Sequence, residues 1–231
     1  EEIILGRNEL YRGKRPGAAG ISIRIIPETM TRIAEFEVGN LDILEIPRAE
    51  IDLWRSAGSP LLEAEELRIV YIGLDNTRPP FDDVRVRRAL NMAVDVESII
   101  ANILFGAGVE ARGVVPSALR GSPYQEDLYP FDPEGARALL EEAGYAGGFD
   151  MEIWQRENPE GGRILESVQA YLAEVGIRGK PVTREWSAFK QAIARGTPDA
   201  FYLDWFADYP DPENFLVPLF HSSNRGGGGN R

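Results

Sequence analysis

Helix start and stop signals punctuate this chain so densely that an all-β fold is excluded, and the alternating apolar runs between them exclude an all-α one. The fullest set lies in "FDPEGARALLEEAGY" (131–145). Asp132 can accept the free backbone N–H groups of a first turn, Pro133 suits the first helical position, and Gly144 follows the last. Asp82 or Asp83 serves the same purpose ahead of Val84, and Asp95 ahead of Val96. Gly176 would close a helix over 163–174, and Gly196 another over "EWSAFKQAIARG" (185–196). Between these signals "ISIRIIP" (21–27), "LDILEI" (41–46), "LRIVYIGLDN" (67–76) and "GGFDMEIWQR" (147–156) read as strands, the third of them buried. Met30, Ile33, Ala34 and Val38 stand at helical spacing after the first strand, and Gly39 ends that run. The fold class is therefore α/β, with mixed sheets and flanking helices.

Composition narrows the partners. The 231 residues hold 37 acids against 25 bases, a net charge of -12, which argues against nucleic acid or an anionic membrane surface. There is no cysteine, so disulfide scaffolds, thiolate zinc sites and cysteine nucleophiles are ruled out. A single histidine, His221, and the lack of a G-x-S-x-G elbow leave no basis for a serine triad or a histidine-rich metal site. No cofactor is expected. No apolar run is long enough for a membrane span, and "EEIILGRNELYRGKRPG" lacks the basic start and apolar centre of a signal peptide. The glycine run at 226–229 reads as a mobile loop or tail rather than a phosphate cradle.

The chemistry concentrates in "YLDWFADYPDPENF", Tyr202 to Phe215, where aromatic rings and acids share a short stretch with two prolines. Three readings compete. Trp205, Phe206 and Phe215 could be core, with the acids on a turn stiffened by Pro210 and Pro212. Asp208 and Asp211 could be the acid and base of a glycosidase, although their spacing does not place them across a bond. Or the rings could wall a pocket in which a carboxylate, desolvated beside them, pairs with a cationic group such as an amine.

In order and spacing, "NELYRGKRPG", "RIIPETMTRIAEFEVGNLDILEIP", "YIGLDNTRPPFDDVRVRRALNMAVDVESII", "FDPEGARALLEEAGY" and "DWFADYPDPENFLVPLF" resemble the peptide-binding family of ABC-transporter solute-binding proteins, family 5. The resemblance implies a two-lobed, periplasmic-binding-protein-like fold of type II. Family members are about twice this long, so residues 1–68 would be a partial first lobe and 69–231 most of the second, with the chain truncated relative to the family pattern. It further implies a monomeric, non-enzymatic receptor outside the cytoplasm. Such a receptor takes a peptide or other small solute into an interlobe cleft and hands it to a membrane permease.

Site residues follow from the same resemblance. Asp208 takes the place of the aspartate that pairs with a peptide's α-amino group, Trp186 that of a tryptophan lining side-chain pockets, and Trp205 with Phe206 that of the pocket wall, so that the rings would shield the Asp208 carboxylate. Asp211 and Glu213 are expected to form the turn and cap, Asp204 to lie on the opposite strand face from Trp205, and Arg85, Arg87 and Arg88 to make structural pairs. The family's short-peptide receptors hold the carboxylate with arginines after the Trp186 helix. Ile193 and Tyr202 stand at those places here, with Arg195 nearby, so dipeptide selection is not implied. Longer peptides, oligosaccharides, opines and nickel chelates stay open, with Tyr202 as a candidate ligand contact, and a hydrolase using paired carboxylates is the rival from another class.

Overall fold

The computed structural model describes residues 1–119 and 129–226, so the glycine run lies outside the described residues beyond Gly226. Two units divide the chain, Glu1–Leu61 and Leu62–Arg231.

In the first unit, β1 (Glu2–Gly6) pairs antiparallel with β2 (Gly20–Arg24), with Ile3 opposite Ile23 and Leu5 opposite Ile21. All four apolar side chains therefore share one face of the ribbon, and all four are exposed. α1 (Thr29–Glu37) follows, and its Phe36 ring meets the Trp54 ring of α2 (Ile51–Ser56) edge-on at 5.7 Å. Of the helical apolar set, Ile33 is buried while Met30 and Val38 are exposed. "LDILEI" is not a strand: residues 41–46 have no regular structure. A strand exists only where an edge offers hydrogen bonds, and the two-stranded ribbon pairs only with itself.

The second unit is built on one four-stranded sheet, in the order β3 (Arg68–Leu74), β6 (Ala200–Phe206), β4 (Asp150–Arg156), β5 (Arg178–Arg184). β3 runs antiparallel to β6, whereas β4 is parallel to both β5 and β6. Helices cover both faces. On one, α3 (Val84–Met92), α5 (Pro133–Glu142) and α6 (Pro159–Glu174) bury Val86, Ala89, Leu140, Leu165 and Leu172 against Ile153, Ala200 and Tyr202. On the other, α7 (Trp186–Arg195) packs Phe189 and Ile193 on Phe201, and α8 (Glu213–Phe220) contributes Phe215 to a cluster with Ile69 and Trp205.

The local signals that predict the helices are the ones that make them. Asp83, Asp95 and Asp132 each accept a backbone N–H at the start of α3, of α4 (Val96–Asn102) and of α5. α6 begins earlier than its apolar spacing suggests, because Asn158 caps it and Pro159 opens it. Gly161 sits in that first turn where a Cβ would lie 2.9 Å from the Tyr202 ring, so the glycine lets helix and strand approach. β5 has no apolar alternation because it is an edge strand, which also explains how Pro181 is accommodated within it. β3, expected to be buried, is the other edge and leaves Val70 exposed.

Candidate functional site

Because β4, β5 and β6 are parallel, their carboxyl ends, Arg156, Arg184 and Phe206, lie along one edge of the sheet. In open α/β sheets that edge is where ligands bind. α7 starts there with Trp186, and the segment leaving β6 carries Asp208. The topology thus brings Trp186, Trp205, Phe206 and Asp208 to one edge. Tyr202 lies lower, buried in the core, and burial pushes its phenol pKa up to about 12.

Trp205 is half-buried, and its indole N–H donates to the Asn214 carbonyl at 2.8 Å. The Asn214 side chain, buried under α8, accepts the Asp208 backbone N–H at 3.0 Å. Ala207 N–H donates to Leu67 O at 2.9 Å, which ties the same segment to the residue before β3. Asn214 therefore holds both the Trp205 ring and the Asp208 backbone. Asn214→Ala is expected to cost about 1–2 kcal/mol, the loss of a bond to a part-buried donor. A lowered melting midpoint together with a shifted Trp205 emission would register it.

The shielded carboxylate of this stretch is not Asp208, which is exposed, but Asp204. The Asp204 side chain is 10% exposed and bridges Arg68 on β3 and Arg156 on β4, each at 3.2 Å. Its place on the face opposite Trp205 follows from strand alternation. The expectation failed because shielding depends on depth in the sheet, and Asp208 lies beyond the end of the strand.

The rings at this edge face cations of the protein itself. The Arg68 guanidinium lies over Phe206 at 4.9 Å, Arg156 over Trp186 at 5.3 Å with Lys190 at 4.9 Å, and Arg184 over Trp154 at 4.5 Å. Glu185 caps α7 through the N–H groups of Ser187 and Ala188, and these bonds hold its carboxyl below the usual range. Sequence reading missed the arginines and Asn214. The visible signal was an arginine at the end of each of two runs, "IWQR" and "VTREW", with a tryptophan close by.

Other expectations concern the remaining acids and bases. Asp211 accepts Glu213 N–H at 2.9 Å and so forms the turn into α8, which engages one of the two acids a hydrolase would need. Arg85 pairs with Asp83 at 2.6 Å, and Arg87 donates to the carbonyls of Phe81 and Asp82. Among the described residues no group of three acids or histidines could hold a metal ion, and no helix is long and apolar enough to cross a membrane.

The family model for bacterial extracellular solute-binding proteins, family 5 (middle), matches residues 1–227. The chain belongs to this family. A heme-binding protein A from Haemophilus influenzae is 36% identical to this family member over 224 residues, and a dipeptide-binding protein from Escherichia coli 34% over 219. These alignments cover 94% and 91% of the chain but 41% of each relative, so the chain spans about two fifths of their length. The solved structure of a dipeptide-binding protein from Pseudoalteromonas in complex with Met-Leu superposes with a TM-score of 0.82 at 31% identity, covering 97% of this chain and 46% of that one. The periplasmic-binding-protein-like fold expected from the sequence is thereby borne out.

Proposed function

We propose that this family 5 chain contributes the solute-holding edge of a peptide receptor serving an ABC importer, acting without catalysis outside the cytoplasm and passing its solute to a membrane permease. In this reading residues 1–68 are a partial first lobe and 69–231 most of the second. The observation that carries it is the gathering of Trp186, Trp205, Phe206 and the exposed Asp208 carboxylate at the carboxyl edge of the parallel strands. Asp208 takes the peptide ammonium, Trp205 and Phe206 wall the adjoining pocket, Trp186 lines the next, and Tyr202 supports them from the core. The receptor works as a monomer.

The similarity to a heme-binding relative favours a second solute class, in which a planar chelate occupies the same ring surface. Calorimetric titration with short peptides and their N-acetylated forms separates the two. Free-amine peptides are expected to bind roughly fivefold to tenfold more tightly, as an ammonium–carboxylate contact of about 1 kcal/mol at an exposed site gives. Asp208→Asn should erase that difference. Equal binding of both peptide forms to the unaltered chain would remove the amine role.

A further inference from the structure

We infer that the surface around the end of α4 is a docking point for a segment of another protein, one in which an apolar side chain stands beside a lysine or arginine. The first sign is a residue in an unfavourable place. Phe105 has φ of 52°, a left-handed backbone, and Gly106 after it has φ of 77°. Glycine or asparagine enters that region at little cost, whereas a phenylalanine Cβ is crowded by the carbonyl oxygen that follows. Hydrogen bonds on either side fix the turn: Leu104 N–H donates to Ile99 O at 3.3 Å and Gly106 N–H to Ile100 O at 3.0 Å.

Packing does not offset that strain. Ile103 and Leu104 pack against the large core of the second unit, but Phe105 is 52% exposed and Val109, four residues on, 74%. Next to this turn lies a largely apolar cavity of about 360 Å³, walled by Ile100, Ala101 and Val109 together with the turn glycines 106 and 108. A strained aromatic held out to solvent beside an apolar hollow serves binding rather than folding. The pairing of a projecting ring with a hollow is the relief that another protein surface matches, since a small solute would use the hollow alone.

Charge selects the occupant. Among the described residues the carboxylates of Glu97 and Glu110 line the cavity with a single guanidinium, that of Arg112, so its lining carries an excess of negative charge. The chain as a whole has a net charge of -12. A second copy would bring the same excess to the contact, and like charges set against each other across an interface suppress association. The complementary occupant is a different protein: its apolar side chain enters the cavity against Ile100 and Val109, a neighbouring residue packs on the Phe105 ring, and its lysine or arginine meets Glu97 and Glu110.

The test uses the chain itself, with acetyl-Lys-Leu-Lys amide as probe, read at the Ile100 and Val109 methyl resonances in a heteronuclear NMR titration. The probe should shift those methyls saturably, and acetyl-Glu-Leu-Glu amide and acetyl-Lys-Ser-Lys amide should bind there at least about fivefold more weakly. Glu97→Gln combined with Glu110→Gln should weaken the response by about the same factor, while Glu166→Gln, which changes an exposed acid on α6, leaves it unchanged. Phe105→Asn should weaken the response about threefold yet keep the melting midpoint at or above a level about 2 °C below that of the unaltered chain, because asparagine accepts the left-handed backbone. A larger fall in midpoint would make Phe105 a packing residue and overturn the inference. So would equal responses to the three peptides, no response, or an unchanged response in the double variant. Methyl shifts that grow with protein concentration alone would assign the surface to a second copy, and n-pentylammonium binding as tightly as the peptide would assign the cavity to small amines; either result overturns the docking point.

Discussion

Asp204→Asn is expected to destabilise the second unit by on the order of 2–3 kcal/mol, a drop of roughly 5–10 °C in melting midpoint for a unit of this size. The carboxylate is largely buried between two guanidiniums, and Arg68 is itself only 18% exposed. Asparagine keeps the shape and one acceptor but removes the charge, leaving two cations facing each other across strands β3, β6 and β4. Breaking a buried ion pair from one side costs more than the pair itself contributes, because the remaining charge is left desolvated. The exposure of Arg156 lets water relieve part of that cost, so the expected loss lies below that of a fully enclosed pair. Asp208→Asn, which changes an exposed acid on the same segment, should leave the midpoint within about 1–2 °C. If the two substitutions had equal effects, Asp204 would not be the electrostatic tie of the sheet.

Gly148→Ala is expected to cost about 3 kcal/mol or more, through a left-handed backbone and an overpacked contact together. Gly148 has φ near +69°, and a Cβ there would come within 1.8 Å of the Gly176 carbonyl oxygen, a backbone atom with no rotamer to yield. That contact joins the entry to β4 with the end of α6. Gly147, its neighbour, has nothing within 4 Å of the same added atom. Gly147→Ala should therefore change stability by less than about 1 kcal/mol. Urea unfolding of the two variants side by side gives the comparison, and equal midpoints would mean that the backbone at 148 can shift at little cost.

What the sequence made legible was decided by how local each signal is. The aspartate caps and the proline that opens α5 act on N–H groups within three residues, so they read correctly without any knowledge of the fold. β5 and the residues of "LDILEI" went the other way for one reason: pairing at a sheet edge depends on what lies beside the strand. Within the candidate site, the motif resemblance pointed to Trp186, Trp205, Phe206 and Asp208 at the edge. The burial of Tyr202 and Asp204 depends on the register with β3 and β4, which no single segment contains. The Arg156 contact with Asp204 joins positions 48 apart, and nothing near either residue announces it. Asn214 went unread, because its side chain reaches back across the turn to Asp208, a contact no local signal marks.

The cations resting on the rings change what those rings can select. By the family resemblance Trp186 lines side-chain pockets and Phe206 belongs to a pocket wall, faces that would grip any flat or apolar group. With Arg156 and Lys190 over the one and Arg68 over the other, those faces are already in use, and under the proposed function an arriving side chain would exchange with a guanidinium or ammonium rather than fill an empty face. Exchange of this kind yields only the difference between two stacking contacts. Under the proposed function the edge would be tolerant of side-chain shape and demanding of charge, a discrimination set by what the displaced cation can pair with once it has moved.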